Sequence, residues 1–469
     1  MSVDVAVIGA GVSGLTTAYE LSRRGHRVAV LERQVRAGGN AVSERIGGFL
    51  MEHGPSSVNA AAPVAAALSR SLGLDGLRCD LGSGVRYRYL TGEAGLRRIS
   101  THPLGFLFSD HLSLQARIRL LAEPFVPPNR GDEEETVARF WGRRFGPEFV
   151  DRVIDPLVGG LFAGRAAELS MPAVFPALLD FERRYGSITR AVLGRGRPGA
   201  RMPGRRLYSW RQGIGTLPAA LVRHLGPALK TGIAVRRLGP CPDGFRVEAG
   251  PAGSLAAKAI VIATQPHVAA TLLEGMDGAA ADAAAEIEAP PLAVVFLGYR
   301  REEVAHPLDG LGYLTPASEG RALTGALFCS TMFPGRAPEG CVAVAGYIGG
   351  APAPERARRG PADLIAAAQV EFRDLLGARG DPVIARVRQW PRGLPQYALG
   401  HSRRVAALRG TEDRRPGLFV TGNYFQGPSV AACVAQASEA ATRVHRFLID
   451  RKDGVRGRAQ ACALSSHRV

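Results

Sequence analysis

Gly9-Ala10-Gly11-Val12-Ser13-Gly14 places three glycines between an apolar run and a segment with helical patterning. Residues 5–8 read as a buried parallel strand, and residues 15–21 repeat apolar side chains at helical spacing. Glycines so placed allow a tight turn, close approach of backbone to a pyrophosphate, and packing of helix on sheet. The helix start adds free N–H groups and a partial positive charge, both suited to phosphate. Residues 28–31 form the next strand, and Glu32 ends it, placed to accept hydrogen bonds from a ribose 2′-hydroxyl. A carboxylate there disfavours a 2′-phosphate and with it NADP, leaving NAD and FAD.

The following segment separates those two. Arg36-Ala37-Gly38-Gly39-Asn40-Ala41-Val42-Ser43 matches the RxGGxxxS pattern that flavoproteins carry just after this βαβ unit. Paired glycines let the chain pass close to the cofactor, and the arginine can pair with acidic or phosphate groups. FAD is therefore the expected cofactor. His53, beside Gly54-Pro55, is read as a structural histidine, and no strong general base stands out.

With 469 residues the chain has room for about three domains. Its net charge is +17, almost all from arginine, since lysine occurs only at Lys230, Lys258 and Lys452. The surplus suits an anionic membrane surface or a polycarboxylate ligand. No nucleic-acid motif accompanies it, so a nucleic-acid partner is not expected. The six cysteines form no CxxC and none pairs with histidine at metal-ligand spacing, which points to a reducing compartment without a structural metal. The N-terminus runs straight into a strand, and no apolar run reaches 18 residues. The expected location is cytoplasmic, with peripheral attachment to the cytoplasmic face of the inner membrane.

The elements that must carry these residues follow in turn. Residues 47–55 read as a strand and turn, 60–72 as a helix, and 85–90 as an alternating strand. Residues 104–180 are mostly helical in pattern. Gly194-Arg195-Gly196-Arg197-Pro198-Gly199 mimics a glycine motif but has no strand before it, so it reads as a basic loop. Strands at 245–247 and 259–264 return to the cofactor sheet, while 292–299, 325–328 and 342–348 suggest a second, more antiparallel sheet. The last strand is at 418–423, the last helix at 430–447, and the tail from Arg451 reads as basic and disordered. The fold class is α/β, or α+β over the whole chain.

Read together, four segments resemble the protoporphyrinogen oxidase family of FAD enzymes, within the flavin amine oxidase superfamily. They are Asp155-Pro156-Leu157-Val158-Gly159-Gly160-Leu161-Phe162-Ala163-Gly164, Tyr347-Ile348-Gly349-Gly350, Trp390-Pro391-Arg392-Gly393-Leu394-Pro395-Gln396-Tyr397, and Gly422-Asn423-Tyr424 with Gly427 and Cys433 behind it. The resemblance spans roughly positions 4 to 447. It implies a Rossmann-type FAD domain (1–84, 206–288 and 412–450), a mixed-sheet substrate domain (85–98 and 289–411) and a helical membrane-contacting lobe (99–205) that includes Leu104-Gly105-Phe106-Leu107-Phe108.

The same resemblance implies oxidation of protoporphyrinogen IX in three two-electron steps, with oxygen as acceptor and hydrogen peroxide as by-product. It assigns non-covalent FAD to Gly9, Gly11, Ser13, Gly14, Glu32, Arg33, Arg36, Gly38, Gly39, Asn40, Gly54, Pro55, Ser56, Val235, Trp390, Gly422, Asn423 and Val430. Arg86 matches an arginine that meets a substrate propionate, Gly160 a glycine lining the ring pocket, and Phe333 a phenylalanine stacked on the substrate. Pro428 departs from the aliphatic residue expected there. A homodimer fits the same picture. Rival readings are coproporphyrinogen III as substrate, a desaturase-type or specialised-metabolite oxidase, and a non-catalytic flavin-binding scaffold. A flavin amine oxidase is disfavoured because Pro290-Pro291-Leu292-Ala293-Val294 lacks the lysine those enzymes place there.

Overall fold

The apolar run that opens the chain lies at the centre of a seven-stranded sheet. The computed structural model describes residues 2–92, 95–100, 111–131, 133–194 and 207–465. Across the sheet the order is Leu229–Lys230, Val28–Leu31, Ser2–Ile8, Ser254–Ile262, Gly244–Glu248 and Arg237–Cys241, with Leu418–Val420 also paired to Ser254–Ile262. Strand pairs among the first four are parallel, and the last two join antiparallel. Val5 and Val7 pack on one face with the helices Val12–Arg23 and Thr216–Leu225 and with the last helix. Ala6 and Ile8 pack on the other with Pro266–Leu273 and Gly278–Ala285. Burial on both faces explains why these strands read as continuous apolar runs rather than alternating ones.

The second sheet also has seven strands: Ile384–Trp390, Leu292–Arg300, Cys341–Gly349, Gly325–Leu327, Gly310–Leu314, Tyr87–Gly92 and Gly95–Ile99. All neighbours are antiparallel except Gly310–Leu314 with Tyr87–Gly92. Its strand Leu292–Arg300 alternates between two packed faces. Ala293, Val295 and Leu297 pack beneath the helix Pro361–Leu376, whereas Val294 and Phe296 take the opposite face.

A helical region packs around Val137, Phe140, Val158 and Phe162. Its buried Arg144 donates to Glu123 (2.6 Å), Glu182 (2.6 Å) and the carbonyl of Gly186 (2.7 Å). Glu123 in turn accepts from the N–H groups of Ile188 and Thr189, capping the helix that follows. On the outside, Leu114, Ile118, Leu121 and Phe125 recur at helical spacing along Leu114–Ala122 and the next turn, and all four are exposed. A π-helical turn, Val150–Ile154, precedes the helix Asp155–Phe162.

The last helix runs Val430–Ser465, so residues 451–465 continue it rather than forming a disordered tail. No proline interrupts residues 430–465, and the two glycines at 454 and 457 do not break the run. The Leu104–Phe108 run and residues 195–199 lie outside the described residues. Among the described residues no helix is long and apolar enough to cross a membrane.

Candidate active site

A cavity of about 1140 Å³ runs between the two sheets and reaches the helical region. That exceeds the roughly 300–1,000 Å³ of a single small-molecule pocket, so it has room for a cofactor and a substrate together. One end is built by the glycine turn. Gly9 has φ +98°, and a Cβ there would lie 2.7 Å from the Ala263 carbonyl oxygen. A Cβ at Gly14 would lie 1.9 Å from the Gly9 oxygen. Gly11, at the N-cap, offers the helix Val12–Arg23 no side-chain hydrogen bond, which leaves first-turn N–H groups for an anion. Glu32 accepts from the N–H groups of Ala10 (2.7 Å) and Gln34 (2.8 Å). Its carboxylate is thereby fixed at the strand end with lone pairs to spare for a ribose. The second loop closes on this turn. Gly38 bridges to Gly11, and Arg36 donates to the Gly39 carbonyl (3.1 Å). Uncapped N–H groups, an acid at the strand end, closed packing at Gly9 and Gly14 and open space at Gly11 fit the adenosine diphosphate part of FAD.

The opposite end is apolar. The helix Asp155–Phe162 presents Gly159, Gly160 and Leu161, facing Leu314, Gly325 and Leu327 of the second sheet. A Cβ on Gly160 would lie 2.5 Å from Leu314 Cδ2. The helix closes with Ala163 in the left-handed region (φ 50°), and Asp155 accepts from Ala166 N–H (3.0 Å) to hold that turn.

The segment from Trp390 to Tyr397 stitches the walls together. Trp390 Nε1 donates to the His53 carbonyl (2.7 Å), Gln396 donates to the Phe162 carbonyl (3.0 Å), and the Tyr397 hydroxyl donates to the Asn423 carbonyl. His401, four residues on, lies 4.4 Å from the Tyr397 ring and shares a hydrogen bond with the Tyr424 carbonyl (2.8 Å). The loop from Gly422 to Ser429, including Pro428, lines the cavity and leads into the last helix at Val430.

Charge divides along the cavity. Arg33, Arg236, Arg388, Arg392 and His267 lie on its wall, and among the described residues Glu32 is the only carboxylate there. Burial pushes the Tyr347 phenol well up, so it is a neutral donor. His53 lies off the wall, paired with Glu44 (2.9 Å), and burial outweighs that pairing to hold its pKa below the ordinary value. No described group at the apolar end is an acid or base.

Gly9, Gly11, Ser13, Glu32, Arg33, Gly38, Gly39, Asn40, Gly54, Pro55, Ser56, Gly160, Val235, Trp390, Gly422, Asn423 and Val430 all line the cavity. Gly14 and Arg36 stand directly behind it. Arg86 and Phe333 are not brought to the wall. Arg86 is exposed, with its backbone N–H bonded to Asp309, just before the strand begins at Tyr87. Phe333 is buried, with the Arg336 guanidinium 5.4 Å from its ring centroid. Sequence reasoning missed Arg388 and Tyr347. The signal for both was strand alternation, which puts them on the same face as Val294.

The nucleotide-type sheet, the second sheet and the cavity between them define a flavin-dependent oxidoreductase. The chain belongs to the flavin-containing amine oxidoreductase family, whose profile matches residues 12–445. It is 32% identical over 485 residues to the chloroplastic protoporphyrinogen oxidase of Oryza sativa subsp. japonica, covering 96% of this chain and 89% of that one. It is 30% identical over 488 residues to the coproporphyrinogen III oxidase of Propionibacterium freudenreichii subsp. freudenreichii, covering 94% and 90%. The crystal structure of a candidate protoporphyrinogen oxidase from Exiguobacterium sp. 255-15 matches with a TM-score of 0.83 over 95% of this chain and 99% of that one. Their identity is 19%, so that likeness bears on the fold.

Proposed function

We propose that the protein oxidises protoporphyrinogen IX to protoporphyrin IX, using non-covalently bound FAD and molecular oxygen. The carrying observation is the apolar end of the cavity, whose wall of Gly159, Gly160, Leu161, Leu314, Gly325 and Leu327 suits a flat, bulky ring system. Gly9, Glu32, Gly38 and Gly39 would hold the adenosine diphosphate part of FAD, and the loop from Gly422 to Ser429 would border its ring. Bound FAD supplies a two-electron acceptor that oxygen regenerates. Three rounds remove six hydrogens and consume three O₂, giving three H₂O₂. The residues at the apolar end act by orientation and by excluding water, since aromatisation supplies the driving force and no described acid or base is placed there.

Coproporphyrinogen III is the second reading, favoured by one observation. Arg88 is half-buried on the same strand face as Leu90, whose register partner Leu314 lines the apolar end. Burial lowers its pKa. A cation there suits a substrate with additional carboxylates. The exposed stripe of Leu114, Ile118, Leu121 and Phe125 supports peripheral contact with a bilayer, from which an apolar substrate would arrive. The decisive experiment is anaerobic mixing of the FAD-loaded protein with protoporphyrinogen IX and, in parallel, coproporphyrinogen III. Loss of the oxidised flavin absorbance band with the first at the higher rate is expected. If neither porphyrinogen bleaches the flavin, the proposal fails.

A further inference from the structure

A row of side chains crosses the second sheet along the cavity floor. Arg388 pairs with Val294, Val294 with Tyr347, Tyr347 with Gly325, and Gly325 with Leu314. All five line the cavity. Four strand spacings separate the ends of the row, on the order of 20 Å. Leu314 marks the Gly160 end, so Arg388, on the edge strand Ile384–Trp390, marks the opposite one.

Arg388 is half-buried, and its guanidinium carbon lies 4.2 Å from the centroid of the Trp390 ring. Its Nε is buried without a hydrogen-bond partner among the described residues. A buried guanidinium nitrogen left unpaired is costly, and an anion is what would satisfy it. Its neighbour in charge is Arg36, itself fixed to Gly39 in the loop that bridges to Gly11 at the helix start. Burial first, and the Arg388 charge second, hold the Arg36 pKa below its ordinary value. Arg388 likewise acts on His53, behind the turn that carries Gly54. A cation of the second sheet thus acts on a cation of the loop that packs beside the uncapped helix N-terminus, far from the apolar end.

We propose that Arg388 is a cofactor anchor supplied by the second sheet: its guanidinium pairs with the diphosphate of FAD from the side opposite the helix Val12–Arg23. The assignment rests on the flavin reading of the cavity. It makes cofactor loading an event that clamps the second sheet onto the first.

The test uses protein stripped of FAD and measures FAD affinity by fluorescence quenching, with ADP as a competitor. Wild type is compared with Arg388→Gln and with Arg388→Met, which keeps an apolar stem on Trp390. Both variants should weaken FAD and ADP about tenfold, the scale of one charge-assisted hydrogen bond. Arg388→Lys should recover part of the loss. Circular dichroism of the stripped proteins identifies a variant that fails to fold, and the remaining one decides. FAD and ADP affinities within twofold of wild type in a folded variant would overturn the proposal. So would a loss for FAD with ADP unchanged, since that would put Arg388 on the flavin ring. If wild type itself binds no FAD, the flavin reading fails, a result independent of Arg388.

Discussion

Acid should loosen the wall of the active site through one buried histidine. His401 is 2% exposed and packs against Tyr397. Its Nε2 meets the Tyr424 carbonyl, which needs a proton on that nitrogen, while its Nδ1 is buried with no partner among the described residues. Burial, aided by the nearby Arg404 charge and opposed by the Tyr424 hydrogen bond and Glu134, lowers its pKa from 6.5 to about 4. Between those values the unfolded chain binds a proton that the folded protein refuses. The stabilisation is therefore complete above the unfolded pKa and is lost as pH falls toward 4. A shift of that size corresponds to about 3 kcal/mol. His401→Gln removes the titration while keeping a donor for Tyr424. The assay is denaturant unfolding of the FAD-loaded protein at pH 7.5 and pH 5, for wild type and variant. Other histidines with lowered pKa values, including His111 and His306, slope the same way, so the wild type minus variant difference is the relevant quantity. Wild type should lose more stability than His401→Gln on acidification, with FAD released earlier. Parallel pH profiles for the two proteins would refute the reasoning.

Arg144→Ala should destabilise the protein by about 3–5 kcal/mol in denaturant titration, because Glu123 would be left buried without its cation and Glu182 with Arg143 alone. Gly160→Ala should leave FAD content unchanged, read from its visible spectrum. By forcing Leu314 into the cavity at a cost of roughly 1–3 kcal/mol, it should lower kcat/KM about tenfold or more. For the membrane surface, wild type should float with anionic liposomes at low salt, and the double change Leu121→Ser and Phe125→Ser should reduce the floated fraction. Equal flotation of the two would remove the exposed stripe from that role.

The first sheet and its glycine turn were legible because their signals are local. The strand, the turn, the helix and Glu32 all fall within residues 2–32, where spacing alone specifies geometry. The apolar end was legible only through the resemblance carried by residues 155–164, since nothing in their own pattern says that Gly160 faces Leu314. Arg388 escaped because its position depends on register with Val294, 94 positions earlier in the chain. Phe333 is the converse case. The resemblance alone assigned it to stacking on a substrate, and its ring is buried under the Arg336 guanidinium, off the cavity wall. The tail was misjudged because basic composition resembles that of disordered segments, while helical continuity from Val430 decides the local structure.

The first sheet holds strands from both extremes of the chain. Leu418–Val420 pairs beside Ser254–Ile262, and the last helix packs on Val12–Arg23. During synthesis the glycine turn emerges long before the loop from Gly422 to Ser429 and the helix behind it. The cavity cannot close around a dinucleotide until those segments leave the ribosome. Contacts of such long sequence separation also form slowly, because the loop-closure entropy precedes their gain. A ribosome-bound fragment of this chain ending before Leu418 should therefore carry no flavin.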